Sequence, residues 1–179
     1  MLLTETQKYD VFTVILDGDK NAPCSEICNE FHHGSLMDYQ TVYDFGKKVD
    51  VLTIEIEHVN IDALKQLAEE GLKIFPQPEV LEIIQHKGRQ KDFFYVNGIP
   101  TAPYKRFDGI AEVKNTMKFP FVWKSAQFGY DGTGVKVIRS VDDLEGLPNV
   151  DCITESLIPF KNELAVIVSR NESGEIKTY

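Results

Sequence analysis

The chain has 179 residues, 42% of them apolar, and a formal net charge of −9, enough for one large domain or two small ones around a packed core. The acidic balance, without any basic cluster, argues against a duplex-binding surface, so no nucleic acid partner is expected. A phosphorylated small molecule needs only a few local cations and stays open.

No apolar run approaches membrane-spanning length and the N-terminus lacks the basic-then-apolar layout of a signal peptide, so no membrane partner is expected. Three cysteines, an odd number, read as reduced thiols in the cytoplasm.

Residues 1–10 resemble the end of a helix leading into a first strand, Val11 to Leu16, which is short, rich in β-branched residues and ends at the turn pair Asp17-Gly18. Cys24, Cys28 and His32 recur every four residues and would share a face on a helix. Zinc sites show paired ligands at tighter spacing, so buried cysteines and a surface histidine are the preferred reading. Val49 to Ile54 is a second buried strand that runs into Glu55, Glu57 and His58. A helix follows, capped by Asn60, with Asp62 in its first turn, an apolar stripe of Ile61, Leu64, Leu67 and Ala68, and Gly71 as its stop. Lys73 to Phe75 is a third strand, ended by Pro76 and Pro78. This is the βαβ order of an open parallel sheet.

Glu79 to Asn97 reads as one helical region stopped by Gly98. From Pro100 the pattern changes to a helix around 110–118 and strand-like runs at 121–126, 135–140, 152–158, 163–170 and 174–179. A capping-box start at Ser140 breaks the series. The chain is thus α/β in its first half and α+β, with antiparallel pairing, in its second. The boundary falls near 77–100, giving units of 1–78 and 79–179. Both ends read as cut, since no strand and glycine turn precede residue 1 and residues 174–179 stop mid-strand.

Residues 121–134 carry the most information. An apolar run ends at Lys124, a loop with Gly129, Gly132 and Gly134 follows, and a new run opens at Val135. Strand, glycine loop and strand form a hairpin able to lie over polyphosphate, because glycines let backbone N–H groups approach oxygens and a lysine adds charge. An ordinary hairpin with a glycine-rich turn is the plainer alternative.

Six segments in order make the chain resemble the N5-carboxyaminoimidazole ribonucleotide synthetase family of the ATP-grasp superfamily, the ATPase subunit of phosphoribosylaminoimidazole carboxylase. They are Thr53-Ile-Glu-Ile-Glu-His-Val59, Phe75-Pro-Gln-Pro-Glu-Val-Leu81, Gln90-Lys91, Gly98-Ile-Pro-Thr-Ala-Pro103, Gly129-Tyr-Asp-Gly-Thr-Gly134, and Glu155 through Glu163-Leu-Ala-Val-Ile-Val168. The resemblance implies a truncated Rossmann-like pre-ATP-grasp domain followed by the first part of an ATP-grasp domain, about half of a full-length enzyme. The implied reaction is ATP-dependent carboxylation of 5-aminoimidazole ribonucleotide with bicarbonate, through carboxyphosphate, in purine biosynthesis. Implied partners are these three substrates and, in the full-length enzyme, a second copy as a homodimer. Mg²⁺ is an implied cofactor, its ligands expected beyond residue 179. A related ligase such as formate-dependent glycinamide ribonucleotide transformylase, with a similar Glu-Ile-Glu, and a non-catalytic nucleotide-binding remnant are the alternatives.

The resemblance also implies roles. Lys87 and Lys124 would contact phosphates, and Gly129, Tyr130, Asp131, Gly132, Thr133, Gly134 and Val135 would form the nucleotide loop. Glu155 would accept from the adenine amino group on a hinge with Ser156, Leu157 and Ile158, while Glu163 would accept from ribose hydroxyls. Glu55, Tyr130 and Asp131 would face the acceptor, with Glu55 rather than Glu57 turned inward. Thr133 stands where arginine is common in the family, and Lys87 also replaces an arginine, keeping charge without the bidentate fork.

Overall fold

The computed structural model describes residues 2–116, 118–127 and 134–179. After a short helix α1 (Leu2–Thr6), strand β1 (Val14–Asp17) pairs in parallel with β2 (Glu30–His33), with Val14 opposite Glu30. The strand begins later than expected from Val11. The ladder opens only where Asn29 and Glu30 donate to the Thr13 carbonyl, leaving Val11 and Phe12 exposed. Cys24 lies in a 3-10 turn (Pro23–Glu26) and His32 on β2, so the four-residue spacing does not gather Cys24, Cys28 and His32 on one helix.

Helix α2 (Tyr39–Gly46) starts where Asp38 accepts from the Thr41 N–H at 2.8 Å. Strand β3 (Val51–Thr53), helix α3 (Ile61–Glu69) and strand β4 (Lys73–Phe75) then form a parallel βαβ unit, with Leu52 opposite Ile74. The α3 stripe is buried at Leu64 and Leu67, joined by Ala63, while Ile61 and Ala68 of the expected stripe are only half-buried. It packs on Val42 and Phe45 of α2 and on Leu52, Ile74 and Leu81, with Val14 and Leu16 against the same cluster. Gly71 ends the helix at φ 96°, a left-handed conformation that glycine adopts without steric cost.

The region from 79 to 97 is two helices, α4 (Pro78–Ile84) and α5 (Lys87–Val96), rather than one. His86 leaves the helical conformation at φ −127°, and its Nδ1 accepts from the Gly88 and Arg89 N–H groups at 3.1 and 3.3 Å. An imidazole is an unusual N-cap, and no proline or glycine marks the break. Gln85 closes α4 by donating to the Glu57 and Val59 carbonyls at 2.7 and 2.8 Å, which fastens the loop after β3 to this junction.

A second sheet follows. Strands β5 (Tyr104–Phe107), β6 (Phe121–Ser125), β7 (Val135–Ile138) and β8 (Cys152–Ser156) lie in the order β5-β8-β6-β7, and every pairing is antiparallel. Alternation splits the sheet into two faces. Phe121, Trp123, Ile138, Cys152 and Phe107 face a second core that includes Val113 of helix α6 (Ile110–Thr116) and Leu144. The other face carries Val122, Lys124, Ile153, Glu155 and Tyr104, and α5 packs against it through β8.

Strands β9 (Val168–Arg170) and β10 (Ile176–Thr178) pair antiparallel. The run expected over 163–170 is a strand only from Val168, because residues 163–166 have no strand beside them among the described residues; Leu164 is 92% exposed. Among the described residues no helix is long and apolar enough to cross a membrane.

Asn60 tests the first core. Its Oδ1 accepts from the Ala63 N–H at 2.9 Å and its Nδ2 donates to the Met37 carbonyl at 3.0 Å, tying α3 to the segment before α2. Asn60→Ala should lower unfolding free energy by about 1–2 kcal/mol in a denaturant titration. Asn60→Asp keeps the cap, loses only the donation, and should fall between the two.

Candidate functional site

The site grows from the outward face of the second sheet. Phe121, Trp123 and Ser125 of β6 are buried against the core, so Val122 and Lys124 must point the other way. On the neighbouring strand Glu155 stands opposite Val122, and Ile153 opposite Lys124. The diagonal offset lets Lys124 Nζ reach Glu155 Oε2 at 2.9 Å. From the helix above, Lys91 Nζ meets the other oxygen, Oε1, at 3.1 Å and also donates to the Thr101 hydroxyl.

Glu155 is only 7% exposed and Lys91 only 8%. Burial pushes the Glu155 carboxyl upward, and the hydrogen bonds and charges of Lys124 and Lys91 outweigh it, holding the group below its ordinary range. Both carboxylate oxygens thus have an ammonium partner.

Lys87, the first residue of α5, adds a third cation. Burial, then the like charge of Lys124, lowers its pKa, while Glu57 and Glu155 oppose the shift. In a chain of net charge −9, this corner gathers three ammonium groups around one buried carboxylate. Such a surplus suits an anion.

Backbone bonds fix the corner in place. The Lys87 N–H donates to the Ala126 carbonyl at 2.8 Å, and the Ala126 N–H to the Asp151 carbonyl at 2.8 Å. His86 Nε2 lies 3.1 Å from Asp151 Oδ2, opposite the nitrogen that caps α5. That nitrogen is an acceptor, so Nε2 carries the proton. The start of α5 is thereby latched to the point where β6 gives way to the glycine loop.

The loop base is closed by the Ser125 N–H donating to the Gly134 carbonyl at 2.9 Å, with Gly134 at φ 74°. Val135 opens β7 opposite Lys124. Gly129, Tyr130, Asp131, Gly132 and Thr133 lie outside the described residues. Ser156 ends β8 and donates its N–H to the Pro103 carbonyl at 2.9 Å, and Leu157 and Ile158 continue from it with exposed side chains. Glu163 stands exposed in the irregular segment before β9.

On the first unit the geometry differs from the strand-alternation argument. The strand ends at Thr53, so Glu55 and Glu57 sit in a bend-rich loop where alternation assigns no inward member. Both are exposed. Glu57 is the one whose charge acts on Lys87. Two other contributors had weak or no signals in the sequence. Lys91 follows Lys87 by one helical turn and so shares its face, whereas nothing marks His86 as a cap.

A cavity of about 610 Å³ lined by Trp123, Ser125, Lys136, Leu147, Val150 and Asp151 lies toward the core side of the sheet. None of Lys87, Lys91, Lys124 and Glu155 lines it, whereas Gly134 and Val135 at the base of the glycine loop do.

Comparison with known proteins agrees with this layout. Residues 1–85 match the model of a ribonucleotide synthetase preATP-grasp domain, and residues 92–179 match that of an ATP-grasp domain. A phosphoribosylaminoimidazole carboxylase of Saccharomyces cerevisiae is 35% identical over 192 residues, covering 100% of this chain and 34% of that protein. The structure of N5-carboxyaminoimidazole ribonucleotide synthetase from Thermotoga maritima is 34% identical with a TM-score of 0.88, over 99% of this chain and 48% of that one. The structure of N5-carboxyaminoimidazole synthase from Aspergillus clavatus, in complex with ADP and 5-aminoimidazole ribonucleotide, is 30% identical with a TM-score of 0.84, over 99% and 48%. The chain spans between a third and a half of the lengths of these relatives.

Glu155→Gln removes the charge that both lysines share, and should destabilise the fold by about 3 kcal/mol at neutral pH. Because the folded carboxyl titrates below its unfolded value near ~4.3, that stabilisation is complete above the unfolded value. It is lost as pH falls through the depressed folded value. Denaturant titrations of both proteins across this window should show their difference shrinking toward acid.

Proposed function

Since the chain belongs to the N5-carboxyaminoimidazole ribonucleotide synthetase family of ATP-grasp ligases, we propose that it forms part of an enzyme that carboxylates 5-aminoimidazole ribonucleotide. ATP and bicarbonate drive the step. Residues 1–78 form the pre-ATP-grasp unit and residues 79–179 belong to the ATP-grasp domain. The observation that carries this reading is the set of three ammonium groups around buried Glu155, latched to the base of the glycine hairpin.

Phosphoryl transfer is mostly positioning and charge neutralisation, so fixed cations are what such a site needs. Lys124 and Lys87 bind the phosphates, and the glycine loop from Gly129 to Gly134 supplies backbone N–H groups. Glu155 fixes Lys124 and, beside its two ammonium partners, accepts from the adenine amino group, while Ser156 to Ile158 present backbone to the adenine edge and Glu163 accepts from the ribose. Glu55, Tyr130 and Asp131 serve the acceptor, Asp131 orienting its amine. Mg²⁺ enters through the family alone. Among the described residues no group of three or more His, Cys, Asp or Glu gathers to hold a metal, and no step is assigned to it.

Two titrations test the nucleotide half. Lys124→Met deletes a charge-assisted contact and should weaken ADP binding roughly 10- to 100-fold by calorimetry; equal affinities would move Lys124 off the phosphates. Lys87 should recover its lost basicity when an anion arrives. ADP binding in alkaline buffer should therefore take up protons, read as an enthalpy that varies with the buffer's ionisation heat, and Lys87→Met should abolish that dependence.

The acceptor half is tested by turnover of the complete enzyme. ADP release should require both bicarbonate and 5-aminoimidazole ribonucleotide, and release indifferent to either would overturn the assignment. Glu55→Gln and Asp131→Asn should each lower that rate by orders of magnitude with little change in melting temperature.

A further inference from the structure

Lys91 is buried on α5, four residues after Lys87, and does not face the solvent side of the site as Lys124 does. A buried ammonium is costly unless it is paired and hydrogen-bonded. Here it has two partners, Glu155 Oε1 at 3.1 Å and the Thr101 hydroxyl. Lys124 Nζ takes the remaining oxygen, Oε2, at 2.9 Å. The carboxylate therefore sits between an inner lysine and an outer one.

We propose that Lys91 is a positioning residue for the nucleotide site: it clamps one oxygen of Glu155 and keeps the carboxylate ionised, so that the other oxygen aims Lys124 at the phosphates. The proposal rests on the nucleotide reading above. Without Lys91, the buried carboxylate would keep only one direct ammonium, on a partly exposed side chain, and acid would neutralise it more easily. Once protonated, Glu155 would no longer hold Lys124 by charge, and a freed lysine must lose rotamer freedom again to bind.

Among the described residues, the groups that act on Glu155 are these. From α5 they are Lys91 and Lys87, and from β6 Lys124. From β5, Tyr104 stands opposite in register, its hydroxyl donating to Asp92 at 2.7 Å. Lys87 and Lys124 remain in a Lys91 variant, so the change isolates the inner clamp.

The experiment is a carboxyl titration of Glu155 by ¹³C NMR in the 179-residue chain, assigned with Glu155→Gln, alongside ADP calorimetry over the same pH range. In Lys91→Met the Glu155 midpoint should rise by roughly 1–3 pH units. ADP affinity should fall roughly ten-fold at neutral pH, and its acid limb should move up with the carboxyl. Lys91→Arg, which restores the cation, should return the midpoint and the acid limb toward wild type. Loss of packing alone would lower stability without moving either.

Should Lys91→Met fail to fold, Thr101→Val removes only the hydroxyl that steadies Lys91 and should shift the midpoint in the same direction by less. A Glu155 midpoint unchanged in these variants overturns the proposal, whatever ADP does. If wild type binds no ADP, the nucleotide reading falls, and the carboxyl titration still decides whether Lys91 clamps Glu155.

Discussion

One carboxylate holds the second half of this molecule's site together. Glu155 is buried on a central strand, where an isolated charge would cost several kcal/mol in lost hydration. It is tolerated because Lys91 from the helix above and Lys124 from the neighbouring strand each occupy one oxygen. The pairing welds α5 to the sheet and sets the orientation of the outer lysine. The same contact that stabilises the layer shapes the chemistry.

The sheet can host this cluster because its faces are so different. Alternation in β6 sends Phe121 and Trp123 into an apolar core and leaves Val122 and Lys124 on the opposite side. The core fixes the strands, so the charged face inherits a rigid scaffold with little packing of its own to satisfy. The helix α5 supplies the rest. Asp92 accepts from the Tyr104 hydroxyl at 2.7 Å and from Arg106 at 2.6 Å, holding the helix along β5 while Lys91 reaches Glu155. Gly88 permits this approach: a Cβ there would come within 2.8 Å of Arg106 Nε.

The first core, which takes in Leu81 of α4, is tied to the site through a junction. His86 caps α5 and bonds Asp151, while Gln85 just before it grips the carbonyls of Glu57 and Val59. Two consecutive side chains thus reach opposite ways, one to the root of the glycine hairpin and one to the loop after β3. That explains how Glu57, far in sequence, comes to act on Lys87.

Much of the architecture is legible in the sequence because it rests on local patterns. The βαβ unit from Val51 to Phe75 follows from apolar spacing, the Asn60 cap and the stop at Gly71, all of which act within a few residues. The antiparallel runs at 121–126, 135–140 and 152–158 are legible for the same reason, whereas β5 (Tyr104–Phe107) is not among the expected runs. Strand ends are not, because a strand exists only where a neighbour pairs with it. Hence the ladder starts at Val14 rather than Val11, and residues 163–166 stay irregular despite their apolar character.

By itself, the sequence determined which residue types were available: a lysine before a glycine loop, lysines one helical turn apart, and a glutamate on a later strand. Only the tertiary structure decided who meets whom. The Lys91–Glu155 and Lys124–Glu155 contacts span a helix and two strands, and a diagonal register between β6 and β8. The physical reason is that helix periodicity and strand alternation are set by nearest neighbours along the chain. The partner of a buried charge is set by which elements pack over it, and that is a property of the assembled fold.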